Sequence, residues 1–234
     1  MIPMKRILVF GDIHGMYDRF MSVWDQANPT KEDKIIFLGD YIDRGKQPIE
    51  TIEFIMNKMK EGYDIIPLMG NHELMFREHY TEHGLTLAPS DYTRNGGDVT
   101  LLQFQRAKRN GKDLSKIIEF ILNLKVYHRE EIEGEKYTFI HAGYDPSKKF
   151  EDNDVFDYVW IREEFFDEYN GELGMFVIGH TPVQNFGEDV PIRNENNIVM
   201  IDTGSYLPIG KISCLDVGLM KFYQFNDEVS TIAG

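Results

Sequence analysis

Six short islands rich in Gly, Asp, His, Asn and Arg punctuate the sequence: Gly11-Asp12-Ile13-His14-Gly15, Gly39-Asp40-Tyr41-Ile42-Asp43-Arg44-Gly45, Gly70-Asn71-His72-Glu73, His141-Ala142-Gly143, Gly179-His180-Thr181 and Ile201-Asp202-Thr203-Gly204. Asp, His and Asn are hard or borderline ligands for divalent ions, and glycine lets backbone approach a bound ion or phosphate closely. Counted as ligands, Asp12, His14, Asp40, Asn71, His141 and His180 suffice for two ions with one carboxylate shared. Such a site holds its ions about 3.5–4 Å apart, activates water and clamps the attacking and leaving oxygens of a phosphoester. The mixture of carboxylate, amide and imidazole suits manganese, iron, zinc, cobalt or nickel better than an ion that takes oxygen alone. Singly, each residue has an ordinary role as a turn aspartate, a capping asparagine or a hydrogen-bonded histidine. The weight lies in the set, because each loop after an expected central strand carries a ligand type.

Two arginines extend the pattern. Arg44 follows Asp40 by four residues in the same loop, and Arg162 closes the segment Val159-Trp160-Ile161-Arg162. A guanidinium offers a planar fork to phosphate oxygens and keeps its charge at any working pH. His72 adjoins Asn71, and neighbouring side chains in a loop diverge, so His72 is placed to face a leaving-group oxygen. Asp43 could bind its far nitrogen, fix the tautomer and favour imidazolium as a general acid. Glu73 reads as a carboxylate that orients the ligand loop or caps a helix, and Asp202 as a support for a ligand histidine.

These side chains must be delivered to one place. Ile7–Phe10, Ile35–Leu38 and Ile65–Met69 are apolar runs separated by helical faces through Phe20, Val23, Trp24 and Ala27, and through Ile49, Ile52, Met56 and Met59. Strand, loop and helix repeated in this way predict a parallel sheet covered on both faces, which places loops along one sheet edge. Helical spacing then takes over from about 74 to 124, with Val99, Leu102 and Ala107 and then Leu114, Ile117, Ile118, Ile121 and Leu122, after a turn at Arg94-Asn95-Gly96-Gly97. This segment reads as a helical cap inserted into one domain spanning residues 1–234. Further on, 126–132 and 136–140 suggest a hairpin, 175–178 and 198–201 lead to His180 and Asp202, and 211–216 and 221–225 look antiparallel. The sum is a mixed two-sheet α/β sandwich with helices outside. Met56, Met59 and Met75 read as core or cap packing.

The composition sets limits. At 234 residues, with 42% hydrophobic and 27% charged residues, the chain can bury a sizeable core. Its net charge of −14 argues against coating a nucleic-acid polymer, and it repels phosphate at long range, so local cations must reverse the field at the site. The single cysteine, Cys214, suits a buried thiol in a reducing compartment. The run Ile7–Phe10 is too short for a signal-peptide core and nothing approaches a membrane span, so the expected location is cytoplasmic, away from membranes.

The first three islands, in this order, resemble the signature of the phosphoprotein phosphatase family of calcineurin-like metallophosphoesterases, and His141-Ala142-Gly143 and Gly179-His180-Thr181 extend the resemblance over about residues 5–204. It implies a four-layer α/β/β/α fold and hydrolysis by a metal-bridging hydroxide without a phosphoenzyme. Carried over, Asp12 and His14 bind one ion, Asp40 bridges, and Asn71, His141 and His180 complete the second. Arg44 and Arg162 hold phosphoryl oxygens together with Asn71, and His72 is the acid with Asp43 as its partner. Arg162 is placed by similarity to the Trp-x-Arg segment of bacterial and bacteriophage members. Two divalent transition-metal ions are implied, manganese foremost. The chain departs from the eukaryotic enzymes at Ala142, where they carry a glycine, and in its shorter C-terminal region, and it looks bacterial or phage-like.

That branch contains protein serine/threonine phosphatases and symmetrical diadenosine tetraphosphate hydrolases. The leading expectation is a phosphatase acting on phosphoserine and phosphothreonine in proteins. Tyr80, Tyr92 and Phe104, with Arg94, Arg106, Lys108 and Arg109, could form the surface a dinucleotide needs, or could pack the cap and face water. A broad phosphoesterase shares the same machinery. A non-catalytic metal-binding interaction protein would lack a ligand, an arginine or the acid, and none is missing here.

Overall fold

The computed structural model describes residues 5–224 and 230–231. Two mixed sheets pack face to face. One runs in the order β11 (Ser230–Thr231), β10 (Lys221–Gln224), β9 (Ser213–Asp216), β1 (Ile7–Phe10), β2 (Lys34–Phe37), β3 (Asp64–Pro67). The other runs β4 (Tyr127–Ile132), β5 (Glu135–Ile140), β6 (Met175–Ile178), β8 (Ile198–Met200), β7 (Ile192–Arg193). Strands β1, β2 and β3 are parallel in register Leu8–Ile35–Ile65, and β5, β6 and β8 are parallel in the second sheet. The hairpin β4–β5 and the antiparallel pair β9–β10 lie where sequence placed them. The strand expected over 221–225 is described through Gln224, and Phe225 lies outside the described residues.

Both faces of each central strand are buried, which is why these runs are apolar throughout rather than alternating. Ile7 and Val9 of β1 meet Phe139, Val177, Val199 and Leu215 between the sheets, whereas Leu8 and Phe10 face the helices. Outside the first sheet, α1 (Tyr17–Ala27) buries Phe20, Val23, Trp24 and Ala27, and α2 (Pro48–Lys60) buries Ile49, Ile52 and Ile55. Outside the second, α6 (Val155–Trp160) and α7 (Glu163–Glu168) bring Tyr158, Phe165 and Phe166 against the same core as Phe176 and Ile178. The result is the expected α/β/β/α layering.

Between β3 and β4 lie α3 (Asn71–His83), α4 (Asp98–Arg109) and α5 (Ser115–Leu122), with one π-turn at Thr93–Gly97. Three expectations change here. The helical region begins at Asn71 rather than at 74, because the Glu73 carboxylate accepts the Gly70 N–H and starts the helix inside the ligand loop. Helix α4 buries Thr100, Leu101 and Phe104 and leaves Leu102 46% exposed, so the Val99–Leu102 phase was off by one residue. The doublet Leu101-Leu102 allows two phases, and only one points at the core. Met75 is buried and Met56 half-buried, but Met59 is exposed. Cys214 is a buried free thiol. Among the described residues no helix is long and apolar enough to cross a membrane.

Candidate metal centre

The ligand candidates stand at or just beyond C-terminal strand ends: Asp12 and His14 after β1, Asp40 after β2, Asn71 after β3, His141 after β5, His180 after β6. Each sheet therefore contributes to one shared rim. Close approach depends on glycine at two points. A Cβ on Gly70 would lie 2.1 Å from Asp40 Oδ1, and one on Gly179 would lie 2.1 Å from Asp12 Oδ1. Nine non-glycine residues among those described have positive φ, and five belong here: His14 (50°), Asp40 (51°), Asp43 (71°), Arg44 (62°) and His180 (66°). Such backbone costs on the order of 1–3 kcal/mol per residue and persists only where the surroundings enforce it.

The three candidate histidine ligands share one arrangement. His14 Nδ1 donates to the Ile42 carbonyl at 3.0 Å, His141 Nδ1 to the Leu38 carbonyl at 2.9 Å, and His180 Nε2 to the Trp160 carbonyl at 3.1 Å. Burial holds all three imidazoles neutral, with His141 pushed down to about 3 and His14 and His180 well below their usual value. The second nitrogen of each ring therefore presents a lone pair. His141 Nε2 and His180 Nδ1 each lie 2.9 Å from Asn71 Oδ1, and His141 Nε2 is 3.5 Å from Asp40 Oδ1. His14 Nε2 is 3.4 Å from Asp40 Oδ2. At Asn71 Oδ1 the acceptors converge with no proton to share, and one nitrogen of each ring tied to a carbonyl is how metal-binding histidines are oriented. The two oxygens of Asp40 face different histidines, as a bridging carboxylate would. The donor set thus fits two divalent ions.

The buried carboxyl groups point the same way. Burial, and then Asp202 and Asp40, raise Asp12 well above its usual range, and burial and Glu73 do so for Asp40. Asp202 is raised by burial to about 6, lies against Asp12 and accepts the Gly204 N–H. It supports no histidine, contrary to expectation. Glu73, raised by burial to about 7, accepts the N–H groups of Asp40, Tyr41 and Gly70 and so fixes the bridging loop.

A cavity of about 130 Å³ opens over this rim, lined by His14, Asp40, Arg44, Asn71, His72, Arg162 and His180 among others. Arg162 is held by Thr181 Oγ1 at 2.6 Å and the His180 carbonyl at 3.2 Å, and Arg44 lies over the Tyr206 ring at 4.1 Å. His72 Nδ1 meets Asp43 Oδ2 at 2.7 Å, as expected from sequence. Burial raises Asp43 to about 7, and burial together with Arg44 lowers His72 to about 3. His72 Nε2 faces the cavity 4.0 Å from Asp40 Oδ2. All ten site candidates come together. Tyr206 was missed, although it lies only two residues past the last island. Tyr92 and Thr100, whose hydroxyls reach Asp43, carried no such signal.

In the cap, Tyr92 and Phe104 are buried and Tyr80 stacks on Phe76, while Arg94, Arg106, Lys108 and Arg109 face solvent. The packing reading of these residues holds.

Two mixed sheets whose strand ends converge on an imidazole–carboxylate cluster beside two arginines define a metallophosphoesterase. The family of Calcineurin-like phosphoesterases matches residues 5–206, and the chain belongs to it. It is 29% identical over 216 residues, 86% of this chain and 88% of the relative, to "Serine/threonine-protein phosphatase 2" of Salmonella typhimurium. It is 25% identical over 226 residues, 84% and 85%, to "Bis(5'-nucleosyl)-tetraphosphatase PrpE [asymmetrical]" of Bacillus mycoides. Its fold resembles that of a cold-active protein-tyrosine phosphatase of a psychrophilic Shewanella, with a TM-score of 0.63 and 17% identity over 98% of this chain and 81% of the other.

Proposed function

We propose that the chain is a cytoplasmic protein serine/threonine phosphatase working with two divalent ions, manganese foremost. Asp12, His14 and Asp40 would hold one ion, and Asp40, Asn71, His141 and His180 would hold the second. When bound, the ions supply Lewis acidity that activates water and neutralises phosphoryl charge. The convergence of three neutral imidazoles on the Asp40 and Asn71 oxygens carries this reading. Arg44 and Arg162 grip the phosphoryl oxygens, with the Asn71 side chain beside them. His72 protonates the leaving oxygen, and Asp43 orients it through Nδ1. Burial and the nearby Arg44 keep His72 neutral in the free site, but a phosphoryl dianion beside it adds negative charge and raises its proton affinity. The helices between β3 and β4 act as a cap on one catalytic unit.

The protein substrate is supported by the Salmonella relative and by a cap that buries the rings of Tyr92 and Phe104, leaving neither as a stacking platform. The Bacillus relative supports a second reading, dinucleoside tetraphosphate hydrolysis. Its name directs attention to ATP plus AMP as products, rather than the two ADP of symmetrical cleavage. The deciding measurement is turnover of a phosphothreonine peptide and of diadenosine tetraphosphate in parallel, with manganese supplied. The expected result is a kcat/KM at least about tenfold higher on the peptide. A preference for the dinucleotide overturns the assignment, and its products identify the cleavage.

A further inference from the structure

The Asn95-Gly96-Gly97 turn looks like punctuation in the sequence, yet the residues around it converge on the proposed acid. Asp43 is fully buried, and its backbone is left-handed. Its Oδ1 accepts two hydroxyl protons, from Tyr92 at 2.7 Å and from Thr100 at 2.7 Å. The Thr100 hydroxyl also accepts the Asp43 backbone N–H at 2.9 Å, closing a ring around the residue. Only Oδ2 is left to face His72 Nδ1. The turn is built to hold this arrangement. A Cβ on Gly97 would lie 2.4 Å from the Tyr92 ring, so only glycine lets that ring seat here, and Phe76 abuts it edge-on with centroids 5.7 Å apart. One residue earlier, the Gly96 carbonyl accepts the Arg44 N–H at 3.2 Å, and Asn95 lines the cavity.

We infer that the cap completes the proton-donating apparatus: Tyr92 and Thr100 are positioning residues that lock the Asp43 carboxylate, and through it the ring plane of His72, toward the leaving oxygen. Without the two hydroxyls, Asp43 is free to rotate about its side-chain bonds, and Nε2 of His72 is no longer aimed. Proton donation matters most for a poor leaving group such as an alkoxide and least for nitrophenolate, which departs without help. The signature is therefore a loss that grows with leaving-group basicity. The inference rests on His72 as the acid.

The test compares kcat/KM on a phosphothreonine peptide and on p-nitrophenyl phosphate for Tyr92→Phe, Thr100→Val and Thr100→Ser, with manganese content and Tm recorded for each. His72→Asn sets the scale and is expected to lose about 100-fold on the peptide and far less on the nitrophenyl ester. Tyr92→Phe and Thr100→Val should each lose roughly tenfold on the peptide and under threefold on the nitrophenyl ester, with unchanged metal content. Thr100→Ser, which keeps the hydroxyl, should recover most of the peptide activity. Leu102→Ala, exposed on the same helix, should leave the ratio of the two rates unchanged. In a His72→Asn background the Tyr92→Phe loss should vanish, a coupling that a purely structural role would not produce. Equal losses on the two esters, or additive losses in the double variant, overturn the positioning role while leaving His72 as the acid. Failure of His72→Asn itself to depend on the leaving group overturns the acid assignment. Tyr92→Phe keeps the ring volume, so the test stands even if Thr100→Val fails to fold.

Discussion

The two sides of the cavity are held by different parts of the chain. Asp12, Asp40, Asn71, His141 and His180 project from strand ends already fixed by the two sheets, and their partners belong to the same rim: one another, Asp202, the carbonyls of Leu38 and Trp160, and the His180 N–H that reaches Asp12. Asp43 and Arg44 sit farther along the loop after β2, and their partners, Tyr92, Gly96 and Thr100, come from around the π-turn and α4. Under the proposed function, the ion-facing side is thus built from the sheets, and the leaving-group side from the sheets and the cap together. Perturbing the sheet rim should remove all turnover with metal affinity, whereas perturbing the cap should remove only the demanding reactions.

The largest expected effect is at the shared carboxylate. Asp40→Asn removes a charge whose two oxygens face different histidines, and should cut manganese-dependent turnover by more than about 10³-fold on every ester, leaving-group quality notwithstanding. Metal content measured after gel filtration should fall with it. If instead the variant stays fully loaded and loses only phosphothreonine activity, the division between the two sides is wrong.

Next comes Arg162, which borders the ion-facing side from between α6 and α7. Arg162→Ala removes a guanidinium positioned by Thr181, and the expected loss in kcat/KM is about 10–100-fold, similar for phosphothreonine and p-nitrophenyl phosphate. Metal content should not change. A loss confined to the poor leaving group would move Arg162 to the acid side of the comparison.

How much of this was readable beforehand differs between the same two sides. Candidate ligand side chains and apolar strands sit next to each other in sequence, so Ile7–Phe10 followed by Asp12 and His14 gave both the element and the side chains it delivers to the rim. The His72–Asp43 pair was also legible, because two islands that each end a central strand must lie close. Its anchors were not. Nothing at Tyr92 or Thr100 distinguishes a hydroxyl that binds a buried carboxylate from one that caps a turn, and contacts made 49 and 57 residues apart have no periodicity to betray them. The α4 phase failed for a related reason: the Leu101-Leu102 doublet is ambiguous until the core it meets is known. Asp202 was misassigned because a carboxylate among histidines invites a histidine partner, whereas its position after β8 brings it to Asp12.

A smaller effect is expected where the sheets press on the ligands. Gly179→Ala would set a methyl group 2.1 Å from Asp12 Oδ1, against the carboxylate itself, so Asp12 must shift. The expected outcome is about 10-fold weaker manganese binding, read by titration of the stripped protein, with kcat near normal at saturating metal. Unchanged affinity would mean that Asp12 has more room than the rim allows.

The smallest effect is on stability, and its sign follows from the buried groups. Asp43 and Glu73 are raised to about 7 and Asp202 to about 6, with Asp12 and Asp40 higher than usual as well, all chiefly by burial. The folded chain holds these protons more tightly than the unfolded chain. For Asp43, Glu73 and Asp202 that contribution is fully present below about pH 4 and is lost as the pH rises through 6 to 7. The histidines act oppositely: His72 and His141, lowered to about 3, stabilise the fold fully above about pH 6.5 and lose that contribution as the pH falls toward 3. Below pH 6.5 the two trends offset each other, and above it only the carboxyl groups still titrate. Chelator-treated protein should therefore melt lower at pH 8 than at pH 6.5, by about 3 °C per pH unit for each proton involved. Divalent ions would take Asp12 and Asp40 deprotonated, and their positive charge favours ionisation of Asp43, Glu73 and Asp202 nearby, so saturating manganese should flatten or reverse the slope. Thermal melts across pH 6.5–8, with and without manganese, should show the gap between loaded and stripped protein widening with pH. A constant gap would mean that the ions bind away from these carboxyl groups, and the contrast between a rim that holds metal and a cap that aims the acid would lose its first half.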